Sequence, residues 1–327
     1  MPRPVALITF PPEAEERAVI DDVFAGLAEV ALLPEEDPAA RKAALKGATV
    51  AITRSLRTEL RADELPLLAN LRLLQTISAG FNHLPFAQLP PGLPVASNSG
   101  GYAEPMAEHV VAMALAAAKR LAFYHNRLAA DDWIWGVKNK KIGGSVCGIL
   151  GFGGIGQATA RLCRGLGIKV WATNRSGRTD QPVDFIGTPT DTDKVLRGAD
   201  TVVLSFALNA GTKGLIGARE LGIMKKDATL INVSRGDAID QTALYEHLKA
   251  NPDFYACIDA WWVEPFNNGV FKIDHPFFEL PNVIGSPHNS AHTATGRLDG
   301  LRHAAENAAR AVRGETPRNL VAEKDRV

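Results

Sequence analysis

The chain has 327 residues, of which 46% are hydrophobic and 22% are charged, and its 36 basic side chains equal its 36 acidic ones. A chain of this length suits two domains with substantial cores. The balanced charge gives no support to a nucleic-acid partner or to attraction by a membrane surface.

The cysteines and the apolar runs narrow the class of protein further. Cys147, Cys163 and Cys257 have no paired spacing, which predicts reduced thiols and not a disulfide framework or a metal site. No apolar run approaches the roughly 20 residues that a membrane-spanning helix needs. We therefore expect a cytoplasmic protein with no bound metal and no membrane partner.

The first hundred residues alternate short apolar runs with segments of helical spacing. Strands are predicted at Val5–Phe10, Val30–Leu33, Ala48–Thr53, Leu71–Ile77 and Val95–Ser97, and helices at Glu13–Leu27, Pro38–Leu45 and Leu60–Ala69. This alternation predicts an α/β domain of its own.

A turn of small residues follows the predicted strand Leu71–Ile77. It contains Ser78, Ala79 and Gly80. Ligands of open α/β sheets bind beyond the carboxyl ends of strands, and backbone N–H groups exposed in such a turn can hold a carboxylate. We therefore predict that Ala79 and Gly80 bind substrate, with an ordinary strand-to-helix turn as the alternative.

A long helix is predicted from Pro105 to about Leu121, because Pro at a first helical position is a start signal. The irregular residues 122–144 after it carry Trp133 and Trp135. Two exposed tryptophans on such an arm favour a contact with a second subunit. Packing against the same chain is the alternative.

A glycine-rich turn is the strongest single signal in the chain. Between the apolar run Ser145–Leu150 and the helical stretch Gln157–Gly165 stand Gly151, Phe152, Gly153, Gly154, Ile155 and Gly156, and the apolar run Lys169–Thr173 follows. Strand, tight turn, helix and strand in this order form the unit that binds a dinucleotide. We expect Gly151 to permit the turn, Gly153 to let a pyrophosphate approach, and Gly156 to let the helix pack on the strand.

The residues after the second strand of this unit bear on the choice of cofactor. An NAD site usually has Asp or Glu there, whereas this chain has Asn174, Arg175 and Ser176. An Arg and a hydroxyl suit a 2′-phosphate, which a carboxylate would repel. The sequence therefore favours NADP(H), and NAD(H) remains possible if Arg175 is only a solvated cation.

Three later segments place polar side chains directly after predicted strands. They are Val233 to Gly236, Asp259 to Pro265, and Ser286 to Asn289. Since the carboxyl ends of parallel strands face one edge of a sheet, we expect all three segments at the nicotinamide crevice.

These segments resemble the D-isomer-specific 2-hydroxyacid dehydrogenase family, which includes glyoxylate and hydroxypyruvate reductases. The matching residues are Ile231-Asn232-Val233-Ser234-Arg235-Gly236, Asp259 through Glu264-Pro265, and Pro287-His288. The segment from Asn98 to His109 is similar to the family's hinge region. The resemblance extends from about Val50 to Arg313.

The resemblance implies a catalytic set of Arg235, Glu264 and His288, and a homodimer. His288 would exchange a proton with the substrate oxygen, since an unperturbed histidine titrates near neutrality. Glu264 would orient the imidazole, and Arg235 would hold the substrate carboxylate. By the family's pattern, Asp259 would accept a hydrogen bond from the nicotinamide carboxamide.

Each catalytic residue also has a structural alternative. His288 could be a core histidine, Glu264 a loop carboxylate, and Arg235 a partner of Asp237. The family usually has Phe where Trp261 stands and often Asp where Asn82 stands. These departures bear on the identity of the substrate and not on the reaction class.

The expected architecture is α/β, with two doubly wound parallel-sheet domains. A Rossmann cofactor domain would cover residues 100–289, and a discontinuous, flavodoxin-like substrate domain residues 1–99 and 290–327. The expected activity is hydride transfer between NADP(H) and a small 2-oxo or D-2-hydroxy acid. The alternatives are an NAD-linked dehydrogenase of a bulkier or phosphorylated acid and a non-catalytic, nucleotide-sensing protein.

Overall fold

The structure is a computed structural model that describes residues 3–81 and 84–326, without the side chains of Phe266, Asn267 and Lys324. The chain divides into two compact units. The first comprises Met1–Tyr102 with Thr293–Val327, and the second comprises Ala103–His292. Asn82, which the sequence marked as a departure from the family, lies outside the described residues.

The first unit contains a sheet of five parallel strands. They are β1 (Val5–Ile8), β2 (Glu29–Leu32), β3 (Val50–Thr53), β4 (Leu73–Thr76) and β5 (Val95–Ala96), and they lie in the order β2-β1-β3-β4-β5. The helices are α1 (Ala14–Phe24), α2 (Pro38–Gly47), the short α3 (Leu56–Glu59) and a C-terminal helix (Gly296–Val312). This strand order is that of the flavodoxin-like fold, so the predicted class of this sheet is confirmed.

One predicted helix of the first unit is wrong. Instead of an α-helix over Leu60–Ala69, a 3-10 helix spans Leu65–Asn70. Pro66 lacks the N–H that an α-helix would need in its interior. The Glu59 carboxylate, at the end of α3, accepts the N–H of Ser55 at 2.6 Å and so closes an earlier, separate turn.

The second unit contains a sheet of seven parallel strands. They are β6 (Val146–Leu150), β7 (Lys169–Thr173), β8 (Phe185–Gly187), β9 (Thr201–Leu204), β10 (Thr229–Asn232), β11 (Tyr255–Ile258) and β12 (Val283–Gly285). Their order is β12-β11-β10-β9-β6-β7-β8. After β8 the chain crosses over to β9, on the other side of β6, so the strand order reverses between β6 and β9. This reversal is the switch point of a Rossmann sheet, and the predicted doubly wound fold is confirmed.

The helices of the second unit begin with α4 (Ala103–Ala118) and α5 (Leu121–Ala129). The others are α6 (Gly154–Gly165), α7 (Thr192–Gly198), α8 (Ala218–Ile223), α9 (Gln241–Ala250) and the short α10 (Pro265–Asn268). Within residues 3–81 and 84–326, none of the helices combines the length and the apolar character that a membrane-spanning helix needs.

The predicted long helix is present as α4 and ends at Ala118, a few residues before the expected end, whereas α5 occupies the start of segment 122–144, which was predicted to be irregular. Between the two helices, Arg120 has a left-handed φ of 51°, which ends α4 and redirects the chain into α5. Its guanidinium donates to Asp253 at 2.7 Å and lies over the ring of Tyr255. These contacts stabilise a conformation that costs a non-glycine residue about 1–2 kcal/mol.

Candidate active site

The glycine-rich turn joins β6 to α6 as the sequence predicted. Gly151 has φ of +98°, and a Cβ there would lie 2.6 Å from the backbone N of Phe206, so only glycine fits. A Cβ at Gly156 would lie 2.6 Å from the Gly151 carbonyl oxygen, so Gly156 lets the helix approach the turn.

The start of α6 suits a phosphate group. A Cβ at Gly153, the N-cap residue, would meet no atom within 4 Å, so space is open beside the backbone there. No side chain caps the helix at this residue. The first turn of α6 includes Gly154 and Ile155. The backbone N–H groups of a first helical turn have no partner within the helix, and they are the groups that bind anions at helix starts. Phe152 is buried. The residues present therefore fit a dinucleotide pyrophosphate.

The loop after β7 is organised by the side chain of Asn174. Its Oδ1 accepts hydrogen bonds from the backbone N–H of Ser176 at 3.1 Å and of Gly177 at 2.8 Å, and from the Ser176 hydroxyl at 3.2 Å. Its Nδ2 donates to the carbonyl oxygen of Arg178 at 2.8 Å. Arg175 and Ser176 are exposed at the tip of this loop. Asn174 thus shapes the loop that presents them.

The parallel register of the sheet brings three polar segments to one edge. Arg235 follows β10, Asp259 and Glu264 follow β11, and His288 follows β12, and the three strands are neighbours. His288 Nδ1 and Glu264 Oε1 are 2.8 Å apart. The same carboxylate oxygen accepts the N–H of Trp261 at 2.7 Å.

The charges in this cluster favour an ionised carboxylate beside the imidazole. Burial alone would raise the pKa of Glu264, but the hydrogen bonds from His288 and Trp261 and the charge of Arg235 outweigh burial and hold it below its ordinary value. Burial lowers the pKa of Arg235, against the pull of Glu264. The ordinary pKa of an arginine lies so far above neutral pH that Arg235 still stays cationic.

The structural alternatives for these residues find little support in their contacts. Glu264 is 7% exposed and holds the imidazole of His288, unlike a loop carboxylate in solvent. Arg235 donates to the Ser234 carbonyl oxygen at 2.7 Å. Asp237 forms its ion pair with Lys213 at 3.4 Å. The catalytic roles themselves stay predictions.

The backbone of His288 is held in an unusual conformation. Its φ is 51°, in the left-handed region. The His288 N–H donates to the Asp259 carbonyl oxygen at 2.9 Å. The Asp259 carboxylate accepts the N–H of Asn289 at 3.1 Å and of Ser290 at 3.3 Å. Asp259 therefore braces the loop on both sides of His288, in addition to its predicted contact with the nicotinamide carboxamide.

His109, on α4, extends this bracing and was missed as a site residue by the sequence analysis. Ser286 donates its hydroxyl hydrogen to Asp259 at 2.5 Å, and His109 Nε2 is 2.9 Å from the same hydroxyl oxygen. Since the hydroxyl has one hydrogen and gives it to the carboxylate, His109 Nε2 must be the donor in this pair. The only sequence signal was the resemblance of the Ala107 to His109 segment to the family's hinge, because His109 and Ser286 are 177 residues apart.

Replacing His109 with phenylalanine is expected to lower kcat about tenfold, because Ser286 then loses its donor and the Asp259 brace loosens. His109→Gln, which can place an N–H near the same position, should recover most of that loss. The measurement is kcat alongside hydrogen exchange of the Asn289 and Ser290 amides. Equal loss in both variants, with exchange unchanged, would contradict a positioning role.

Ala79 and Gly80 belong to the first unit, where they follow β4. Both are partly exposed, and the Ser78 hydroxyl donates to the Gly80 carbonyl oxygen at 2.8 Å. Their part in binding a substrate carboxylate stays a prediction. Among the described residues, no group of three His, Cys, Asp or Glu side chains could hold a metal ion.

Comparison with known proteins identifies the family of the chain and supports its fold. The family model for the NAD binding domain of D-isomer specific 2-hydroxyacid dehydrogenases matches residues 111–290. A glyoxylate/hydroxypyruvate reductase B from Pectobacterium carotovorum subsp. carotovorum is 32% identical over 257 residues, which are 77% of this chain and 79% of that protein.

Two solved structures share the fold. The NAD-complexed D-isomer specific 2-hydroxyacid dehydrogenase of Lactobacillus delbrueckii ssp. bulgaricus has a TM-score of 0.79 and 24% identity, and covers 97% of this chain and 99% of its own. The corresponding enzyme of Xanthobacter autotrophicus Py2, in complex with NADPH and MES, has a TM-score of 0.78 and 21% identity, with 98% of each chain covered. The chain belongs to the D-isomer specific 2-hydroxyacid dehydrogenase family and is an oxidoreductase that uses a nicotinamide cofactor to act on CH–OH donors.

Proposed function

We propose that the protein is an NADP(H)-linked reductase of 2-oxo acids of the glyoxylate and hydroxypyruvate type. The observation that carries this proposal is the 2.8 Å pair of His288 and Glu264 next to the cationic Arg235. A proton donor, its orienting carboxylate and a carboxylate-binding cation are what reduction of a 2-oxo acid requires. The reductase from Pectobacterium carotovorum named above supports the substrate type.

A nicotinamide cofactor held at the start of α6 would supply the hydride for the carbonyl carbon. His288 gives the proton from Nε2 to the carbonyl oxygen, because its Nδ1 is engaged by Glu264. Glu264 keeps the ring in one orientation and stabilises the positive charge of the donor form. Arg235 binds the carboxylate and draws electron density from the carbonyl oxygen. In the oxidative direction His288 takes the proton back.

The loop after β7 supports NADP(H) over NAD(H). Arg175 and Ser176 are exposed at its tip, and Asn174 holds them there without adding negative charge. A 2′-phosphate would gain charge-assisted hydrogen bonds from such a tip. The relatives described above include one complexed with NAD and one with NADPH. An NAD-linked enzyme for a bulkier or phosphorylated acid is the nearer alternative.

We place the protein in the cytoplasm as a homodimer, with the first unit as the substrate-binding domain and the second as the cofactor domain. Trp133 and Trp135, which follow α5, are 80% and 86% exposed. Apolar surface of this extent supports a partner subunit at this arm.

A nucleotide-sensing protein without enzymatic activity is the alternative from another functional class. The intact Glu264–His288 pair argues against this alternative.

The test is the initial rate of reduction of glyoxylate and of hydroxypyruvate with NADPH and with NADH, followed by nicotinamide absorbance. We expect kcat/KM to be at least about tenfold higher with NADPH. Turnover that favours NADH would keep the reaction and refute the cofactor preference. A protein that binds either cofactor but reduces no 2-oxo acid would refute the proposed function.

A further inference from the structure

A cavity of about 300 Å³ lies directly beside the His288–Glu264 pair, and both residues form part of its wall. The rest of the wall is largely aromatic and aliphatic, with Trp261, Phe271 and Phe278 as its largest members. Ligand sites of proteins begin at about this volume. The cavity belongs entirely to the second unit.

The aromatic rings form a connected wall. The ring of Trp261 lies 5.4 Å from that of Phe271, edge to face, and 5.3 Å from that of Phe278. A Cβ at Gly285 would lie 2.8 Å from both Trp261 and Phe278, so the missing side chain lets these two rings converge. Trp261 is 5% exposed, and its indole N–H donates to the Ser286 carbonyl oxygen at 2.8 Å. With that hydrogen bond made, its ring offers only carbon to an occupant.

The charge of the wall disfavours an anionic occupant. Among the described residues that line the cavity there is no lysine or arginine, and the ionised carboxylate of Glu264 forms part of the wall. A phosphate or a second carboxylate in this space would lose its water and face that carboxylate with no lysine or arginine beside it. The polar groups of Ser286 are also engaged, since its hydroxyl binds Asp259 and His109.

We propose that this cavity binds the side chain of the 2-oxo acid and that the preferred substrates carry a branched aliphatic or aromatic side chain, as 2-oxoisocaproate and phenylpyruvate do. This inference rests on the 2-oxo acid reduction of the proposed function, and it extends the preferred substrates beyond the glyoxylate and hydroxypyruvate type. The reacting carbonyl must lie against His288, and its carboxylate is held by Arg235. The side chain of the 2-oxo acid is then the remaining substituent of the carbonyl carbon, and it can enter the cavity because His288 forms part of the cavity wall. Glyoxylate has only hydrogen at this position and leaves the cavity unfilled.

A substrate series tests the proposal. Each buried methylene contributes about fourfold to kcat/KM, so the three extra carbons of 2-oxoisocaproate over pyruvate should raise kcat/KM about 60-fold. The series is glyoxylate, pyruvate, 2-oxobutyrate, 2-oxoisocaproate and phenylpyruvate, each at saturating NADPH and again at saturating NADH. A flat or falling series would overturn the inference and leave the reductase function standing. No reduction of any member with either cofactor would overturn both.

A pair of neighbouring variants tests the cavity itself. Phe271 lines the cavity and is 49% exposed, whereas the adjacent Val270 is 57% exposed and does not line it. Phe271→Ala should lower the ratio of kcat/KM for phenylpyruvate to that for pyruvate at least about tenfold. Val270→Ala should leave that ratio within about twofold. A similar ratio in the two variants would overturn the assignment of the cavity to the substrate side chain.

Discussion

Replacing His288 with asparagine is expected to lower kcat for 2-oxo acid reduction about 1000-fold while the dissociation constant for NADPH changes by less than about threefold. The imidazole is the group that Glu264 orients at 2.8 Å, and asparagine has no proton to give near neutrality. Loss of a positioned general acid typically costs 10²- to 10⁴-fold in rate. Stopped-flow absorbance measures the hydride step, and quenching of protein fluorescence measures cofactor binding.

The matched control is His125→Asn. His125 is an exposed histidine on α5, and the substitution, histidine to asparagine, is the same as at position 288. We expect its kcat to stay within about twofold of the parent chain. If His288→Asn kept more than about a tenth of the activity, the proton would have to come from another group. A parallel fall in cofactor affinity would instead point to collapse of the loop that Asp259 braces.

The fold and the central residues of the site follow from local signals in the sequence. Strand ends in a parallel sheet face one edge, so the positions of Arg235, Glu264 and His288 after three successive strands were enough to predict that they meet. The tight turn at Gly151 follows from a pattern that only glycine satisfies. Such signals need no knowledge of side-chain packing.

Other features depend on contacts between distant parts of the chain, which no local pattern encodes. The contact of His109 with Ser286 joins a helix to a strand end 177 residues away. The break at Arg120 depends on Asp253, which has no periodic relation to it. The aromatic wall beside His288 requires Trp261, Phe271 and Phe278 to converge on Gly285. The proposed substrate preference therefore depends on side-chain packing, whereas the reaction class follows from sequence motifs.

The role of Asn174 shows the same limit on a smaller scale. The sequence treated this residue as a neutral replacement for a ribose-binding carboxylate. In the structure its amide accepts three hydrogen bonds from the loop and donates one to it. The neutral charge of Asn174 and its hydrogen bonds to the loop are thus two separate properties. A substitution at this position can change the charge more than the hydrogen bonds, or the reverse.

Replacing Asn174 with aspartate is expected to lower the ratio of kcat/KM with NADPH to that with NADH about 100-fold or more. Aspartate keeps the acceptor oxygen that Ser176 and Gly177 use, so much of the loop should survive. The new charge repels a 2′-phosphate and accepts a hydrogen bond from a 2′-hydroxyl. Two unit charges about 4 Å apart interact by about 4 kcal/mol at an effective dielectric constant of 20, and screening reduces this to roughly the 2.7 kcal/mol that a 100-fold change represents.

Asn174→Ser separates the charge from the shape of the loop. Serine is neutral and too short to make the bonds to Gly177 and Arg178 together, so both cofactors should bind more weakly and the ratio should change less than about fivefold. Initial rates over a range of each cofactor, at one fixed concentration of 2-oxo acid, give the two ratios. If aspartate and serine shift the ratio equally, the preference arises from loop shape. If neither shifts it, the 2′-position of the cofactor is recognised elsewhere, and the loop after β7 is not the specificity element.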